Sequence, residues 1–443
     1  MSRPSVIVVG AGIAGLTAAR RLARKGFAVR VLEAQNEPGG RMGQRQSGPL
    51  VYNTGARLIY PFGRILHALF EALGLKPALL PLRGLSAQCH LPDGLPYRID
   101  LMPGARALGH AALDWHGRRG LLRSGAELLQ WWWRGADPDL ATSVLQMDQR
   151  MDAITLAQYL RETAGEQVLQ RLVEPVFRGT RSQNPEDISP TFYLSTTPHL
   201  LGRKTVYTLQ GGMQVLPERL AQGLDLQYGV RVTQVEQGSP CSVHTAKGQC
   251  LHADLVVCAT EGALAKALLA DPKPEQQRML AAVRYNSLGI LHVALQGDLP
   301  PMLEFAPRLS NSRIATWQQT PARGDSPACL YCQLTPEAVQ EAMATERTQA
   351  LRELLWPEIQ ARLPDIDQRV IHMVNQWIEH KLPVFYPGYG MQVWEFLLWQ
   401  QSKRQQVYFC GDWLSQPLLN GACRSGNDVA ILVERHWGFY SSL

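Results

Sequence analysis

Residues 6–33 read VIVVGAGIAGLTAARRLARKGFAVRVLE, and this stretch decides the fold. The apolar run Val6 to Val9 predicts a buried strand. It leads into Gly10-Ala11-Gly12-Ile13-Ala14-Gly15 and then a helical stretch. In this pattern Gly10 makes a tight turn, Gly12 lets the backbone approach a pyrophosphate, and Gly15 lets the helix pack closely on the sheet. The start of that helix offers free N–H groups and a positive dipole end to phosphate. A second strand ends at Glu33, followed by Ala34, at the distance where an acid accepts hydrogen bonds from a ribose diol. Strand, glycines, helix and acid together predict a dinucleotide-binding βαβ unit.

The next residues, AQNEPGGRMGQ (34–44), form a second glycine-rich turn. Gly39 and Gly40 allow close approach, and the guanidinium of Arg41 has the shape to fork onto phosphate oxygens. Together, GxGxxG and E-x(5)-GGR resemble the flavin amine oxidase superfamily, which includes protoporphyrinogen oxidases and phytoene-type desaturases. That resemblance implies an extended, noncovalent FAD on an α/β fold: a Rossmann-like, doubly wound FAD-binding domain beside a second, largely helical α+β substrate domain. It also implies a discontinuous chain course. The FAD-binding domain is expected from residues 1–80, 205–265 and 385–443, and the substrate domain from 81–204 and 266–384.

Further segments carry the same resemblance. VYFCGDWLSQPLLNGACRSGNDVAILVERH (407–436) is similar to the family's closing GD…GA…SG motif. There Gly411 and Asp412 meet the ribityl chain, and a helix beginning near Gly421 and Ala422 aims N–H groups at the flavin. A positive helix end stabilises the negative charge of a reduced flavin. Gly55, Ala56, Arg57 and Leu58 stand at the small-residue turn against the isoalloxazine. Asn53 replaces the acid that family members often carry there. Val232 occupies the place whose backbone meets adenine. Trp377 and Tyr389, in the W…P…PG stretch, are expected to wall the substrate side.

Departures from the family also inform the reading. Amine oxidases usually place a lysine near the flavin, but Ile290 is the nearest residue in NSLGILHVAL (286–295). No cysteine for covalent flavin attachment stands around Leu382 and Pro383. His67, His199, His292 and His380 are base candidates by residue type alone, so no catalytic residue is assigned. The helical run TLAQYLRETAGEQVLQRLVEPVF (155–177) is expected to end at Pro175.

Composition is compatible with this picture. The chain has 443 residues, 45% hydrophobic and 19% charged, which allows two domains with real cores. No run of about 20 apolar residues predicts a transmembrane helix, and the first strand begins too early for a signal peptide, so a cytoplasmic location is expected. The eight cysteines show no disulfide framework. Cys329 and Cys332 form a lone CxxC in a strand-like run, which reads as free thiols and not as a metal site. A net charge of +6 attracts anionic partners, but no basic tract interleaved with aromatics points to nucleic acid. Trp131, Trp132 and Trp133 cover most of a helix circumference. Peripheral membrane contact, core packing and self-association are the open readings for them.

The expected activity is removal of a hydride from an apolar small molecule, forming C=N or C=C, with oxygen reoxidising the flavin and giving peroxide. The alternatives are an isoprenoid desaturase or dehydroxylase passing electrons to a non-oxygen acceptor such as a quinone, and a noncatalytic flavin-binding protein.

Overall fold

A computed structural model describes residues 3–91, 96–102, 110–202 and 205–438. Its first layer is a five-stranded parallel sheet. In spatial order the strands are Val407–Phe409, Leu255–Cys258, Ser5–Val9, Ala28–Leu32 and Asp225–Gln227. Val6 and Val8 are buried in the middle strand, with Val31 and Val257 on its neighbours. Such continuous apolar strands suit a sheet covered on both faces. Helices Ile13–Arg24 and Leu419–Trp437 pack on one face. The other face is covered by an antiparallel three-stranded meander, Val232–Glu236, Cys241–Thr245 and Cys250–Ala253, and by helix Tyr389–Ser402.

Glycine sets the distance between those two helices. A Cβ on Gly426 would lie 2.1 Å from the carbonyl oxygen of Ala14, and one on Gly15 would lie 2.1 Å from that of Gly10. Neither position tolerates a side chain without moving backbone. The first turn therefore stays tight, and the C-terminal helix lies against the N-terminal one.

A seven-stranded mixed sheet forms the second layer system. It runs from Val370–Pro383 through Tyr285–Leu295, Ala328–Leu334, Ile314–Thr320 and Met302–Phe305 to Ser86–His90 and Pro96–Asp100. Beside it, helices Trp115–Trp133, Leu156–Thr163 and Thr191–Thr196 enclose their own apolar core. Asp114 starts the longest of these by accepting from the N–H of Gly117 at 2.9 Å. Among the described residues no helix is long and apolar enough to cross a membrane.

Pro175 does not end a helix. It stands in the first turn of Glu174–Arg181, after π-type turns at Leu169–Val173. Helical residues run without a break from Glu166 to Arg181, and the wider π-type turn just before Pro175 accommodates its ring and missing N–H. The helix instead stops at Ser182, whose φ is 55°. Of the tryptophan triplet, Trp131 is buried and Trp132 and Trp133 are exposed. Cys329 and Cys332 are free thiols on strand Ala328–Leu334.

Gly426→Ala is expected to destabilise the fold by about 1–3 kcal/mol, the range for overpacking a closed contact. Gly125→Ala, at a helical position with open space around it, is expected to be neutral or stabilising by about 0.5–1 kcal/mol. Urea unfolding of the two variants checks this; equal midpoints would contradict the close-approach argument.

Candidate active site

The two glycine turns, the ends of the parallel strands and the start of the C-terminal helix surround a cavity of about 620 Å³. Gly10, Gly12, Ile13, Ala14, Glu33, Ala34, Gly40, Arg41, Gly55, Ala56, Arg57, Leu58, Val232, Gly411, Asp412 and Ala422 line it. Gly10 has φ +102°, which favours glycine, and Gly12 has no atom within 4 Å of where its Cβ would be. That open space borders helix Ile13–Arg24, which has no side-chain N-cap and no acid in its first turn. Helix Leu419–Trp437 begins at the cavity in the same uncapped way. Two uncapped helix starts make the cavity walls suited to anionic groups.

The remaining expected cofactor residues lie behind the wall. Ala11 does not line the cavity, but its N–H donates to Glu33 Oε2 at 2.7 Å. Glu33 Oε1 accepts from the Gln35 N–H at 2.9 Å. The carboxylate is thus held in place at the cavity edge with acceptor capacity to spare. Gly15 and Gly421 serve packing: a Cβ on Gly421 would lie 2.2 Å from the Gln416 oxygen.

Arg41 differs from the expected phosphate fork. It donates to Asp412 Oδ1 and to the Lys381 carbonyl, both at 2.9 Å, and sits 3.6 Å from Glu261 Oε1. Two carboxylates already balance its charge, so its guanidinium ties three chain segments together at the cavity wall.

Tyr389 does not wall a substrate site. It is 0% exposed, and its hydroxyl donates to the Trp413 carbonyl at 2.9 Å. Trp377 also lies outside the cavity. It packs on the helix-covered core of the seven-stranded sheet, against Gly289, where a Cβ would come within 3.0 Å of its ring. Aromatic bulk filled core gaps at both positions. The four histidines named by type, His67, His199, His292 and His380, do not line the cavity either. His380 binds Glu261, His67 binds the Tyr60 carbonyl, and His199 binds that of Ala136. His292 Nε2 lies 2.8 Å from Gln376 Oε1, and burial depresses its pKa to about 4.

A lysine does face the cavity, one strand away from Ile290. Lys381 lies on strand Val370–Pro383, which pairs with Tyr285–Leu295. Its Nζ donates to the Thr180 carbonyl at 3.1 Å and to Ser182 Oγ at 3.0 Å. Helix Glu174–Arg181 ends there, and side chains from the sheet satisfy its last carbonyls. Gln333 donates to Arg178, Thr316 to Gly179 and Asn286 to Arg181. Burial, then the charges of Arg57 and Arg181, hold the lysine well below its ordinary pKa. Those effects outweigh the helix end, which on its own favours a cation.

Arg181, also absent from the sequence reading, joins this cavity to a second one of about 230 Å³. The second cavity is mainly apolar, lined by residues such as Leu128, Val168, Leu172, Val176, Phe177 and Phe192.

The chain belongs to the family of flavin containing amine oxidoreductases, whose sequence pattern matches residues 13–433. Its cofactor is FAD, and the cradle around Gly12 and Glu33 fits that group. A zeta-carotene-forming phytoene desaturase of Myxococcus xanthus is 27% identical over 338 residues, 67% of this chain and 61% of the desaturase. The match thus spans less than two thirds of that relative's length. The L-amino-acid oxidase of Mus musculus is 25% identical, covering 99% of this chain and 72% of the oxidase. A putative protoporphyrinogen oxidase from Exiguobacterium sp. 255-15 shares the fold, with a TM-score of 0.73 at 18% identity over 98% of this chain and 99% of its own.

The depressed pKa of Lys381 predicts a pH-dependent stability. Between its folded pKa and 10.5 the unfolded chain binds a proton that the folded chain does not, so stability rises with pH through that window. Compared with Lys381→Met, the wild type should gain stability between moderately and strongly alkaline pH in urea unfolding. Parallel pH profiles would show that the lysine keeps its proton.

Proposed function

We propose that this flavoenzyme oxidises an apolar small molecule at a C–N or C–C single bond and uses oxygen as its electron acceptor. The observation that carries the reading is that Leu58, Tyr60, Thr180 and Arg181 line both the FAD cradle and the apolar second cavity, which places the two side by side. A mainly apolar enclosure selects an apolar ligand and keeps water away from the reacting bond. The cradle around Gly12 and Glu33 would hold FAD, and when bound it would supply the two-electron acceptor for the hydride, with oxygen as the final acceptor reduced to hydrogen peroxide. Lys381 then has a defined task. Its Nζ, shifted toward the amine form by burial and by Arg57 and Arg181, takes the proton released from the adjacent N–H or C–H as the double bond forms. Thr180 and Ser182 hold Nζ in place by accepting from it. No cysteine or histidine lines the first cavity among the described residues, which supports a noncovalent cofactor.

The surface supports a source for the substrate. Along helix Trp115–Trp133, the exposed Trp115, Leu122, Ala126, Leu129 and Trp133 repeat at helical spacing, so they form one stripe. Trp115 is 69% and Trp133 87% exposed. Arg118, Arg119 and Arg123 flank the stripe and are exposed. The opposite face of this helix, through Leu121, Ser124, Gly125 and Leu128, lines the second cavity. An interfacial helix of this kind rests on an anionic membrane surface, and the apolar substrate enters from there.

Anaerobic photoreduction followed by rapid mixing with oxygen tests the acceptor. Fast reoxidation with stoichiometric peroxide is expected; slow reoxidation that a soluble quinone accelerates would replace oxygen with a quinone. Flotation with phosphatidylglycerol vesicles tests the surface. The wild type is expected to float and Leu129→Glu/Trp133→Glu to remain behind with its FAD intact. Equal behaviour of the two proteins would remove the membrane from the reading.

A further inference from the structure

Two arginines of the first cavity, Arg57 and Arg181, have no carboxylate partner among the described residues. Arg181 is only 9% exposed, lines both cavities, and forms no salt bridge. Its guanidinium carbon lies 3.6 Å from the ring centroid of Phe192 and 5.5 Å from that of Phe177. Its backbone carbonyl is held by Asn286 at 2.7 Å, so the helix end fixes where the side chain starts. Arg57 comes from the small-residue turn that follows the hairpin of strands Gln44–Ser47 and Leu50–Asn53. Its guanidinium sits 4.4 Å from the ring centroid of Tyr331 and likewise forms no salt bridge. The carboxylates that line the first cavity, Glu33, Glu261 and Asp412, are engaged elsewhere, with the Ala11 and Gln35 N–H groups, with Arg41 and His380, and with Arg41.

A buried cation without a counter-ion is costly unless something compensates it. Stacking on aromatic faces compensates in part, and it leaves the guanidinium edge, with its N–H donors, for another group. Burial draws the Arg181 pKa down to about 10, so it remains charged at neutral pH. Lys381, near enough to both arginines to feel their charge, does not relieve them; they push it toward the neutral form.

We propose that Arg57 and Arg181 form an anion subsite that takes the carboxylate of an amphiphilic substrate, with its apolar body in the second cavity. A planar carboxylate matches the fork of a guanidinium edge. The geometry also orients the molecule. The charged head lies at the junction, on the side of Lys381, and the apolar body extends away from the cofactor cradle toward helix Trp115–Trp133. The oxidised carbon is therefore near the carboxylate and not at the far end of the chain. This inference rests on the flavoenzyme reading and narrows its substrate to apolar molecules with a carboxylate head.

Binding of decanoate, decanol and decylamine to the FAD-loaded protein tests the subsite, followed by calorimetry and by the flavin difference spectrum. Decanoate is expected to bind at least about tenfold more tightly than decanol, given the strength of a charge-assisted hydrogen bond, and decylamine more weakly than either. Arg181→Met is expected to remove most of that preference and Arg181→Lys to keep part of it, both with the wild-type FAD content. Equal binding of decanoate and decanol to the FAD-loaded wild type would overturn the subsite. So would variants that keep the decanoate preference but shift the flavin midpoint potential, because the arginines would then serve the reduced cofactor. The FAD content of the same preparations is read separately from their absorbance. Its absence would overturn the flavoenzyme reading, whereas missing selectivity in a fully loaded protein overturns only the subsite.

Discussion

The close approach of helix Leu419–Trp437 to helix Ile13–Arg24 sets the geometry of everything around the cofactor cavity. Gly426 meets the backbone of Ala14 with no room for a Cβ, so the two helix starts converge on one space. The same approach brings Asp412, just before the second helix, within 2.9 Å of Arg41. Arg41 then reaches the carbonyl of Lys381 on the seven-stranded sheet. One backbone contact between the two ends of the chain is thereby transmitted, through a single guanidinium, to the strand that carries the lysine. The parallel sheet supplies a rigid floor, and the polar ties fix the walls relative to it.

The charges around the cavity are sorted by role. Arg41 is matched by Asp412 and Glu261 and serves architecture. Arg57 and Arg181 are unmatched and sit on aromatic faces. Lys381 feels these charges: burial and two neighbouring positive charges shift it toward the amine. The proposed base and the proposed anion-binding pair therefore draw on one electrostatic arrangement. An arriving carboxylate that neutralises the arginines also removes part of the force that disfavours the ammonium form of Lys381. Head-group binding and proton acceptance are coupled through that shared field.

The cradle was largely legible in the sequence because its constraints are local. Gly10, Gly12 and Gly15 encode a turn, an approach and a packing distance within six residues, and Glu33 follows at a spacing set by one βαβ unit. The substrate end was not legible in this way. Lys381 and Arg181 are 200 positions apart in the chain, and they meet only because the carbonyls ending helix Glu174–Arg181 are capped by side chains of the seven-stranded sheet. Ile290, where family members carry a lysine, stands on the strand next to the one that carries Lys381. Tyr389 and Trp377 were misread for a related reason. An aromatic residue beside Pro and Gly has the same local sequence whether it faces a ligand or a core, and only tertiary packing separates the two cases. Pro175 was read as a stop because its position within a helix turn could not be seen from the run that preceded it.

The two cavities differ in what holds them open, and that difference bears on specificity. The first is bounded by backbone at glycine turns and by tied polar groups, so its shape is set by the fold. The second is bounded largely by side chains of Leu, Val and Phe on helices outside the parallel sheet, which change size and shape by substitution without disturbing that sheet. Cofactor binding is therefore insulated from variation in the apolar chamber, while Arg181 stands on the boundary and belongs to both. Its backbone is anchored by the sheet and its side chain is stacked on the chamber wall. A substrate must satisfy that fixed charge and fill the adjustable volume at once, so charge selects the orientation of the molecule and packing selects its length.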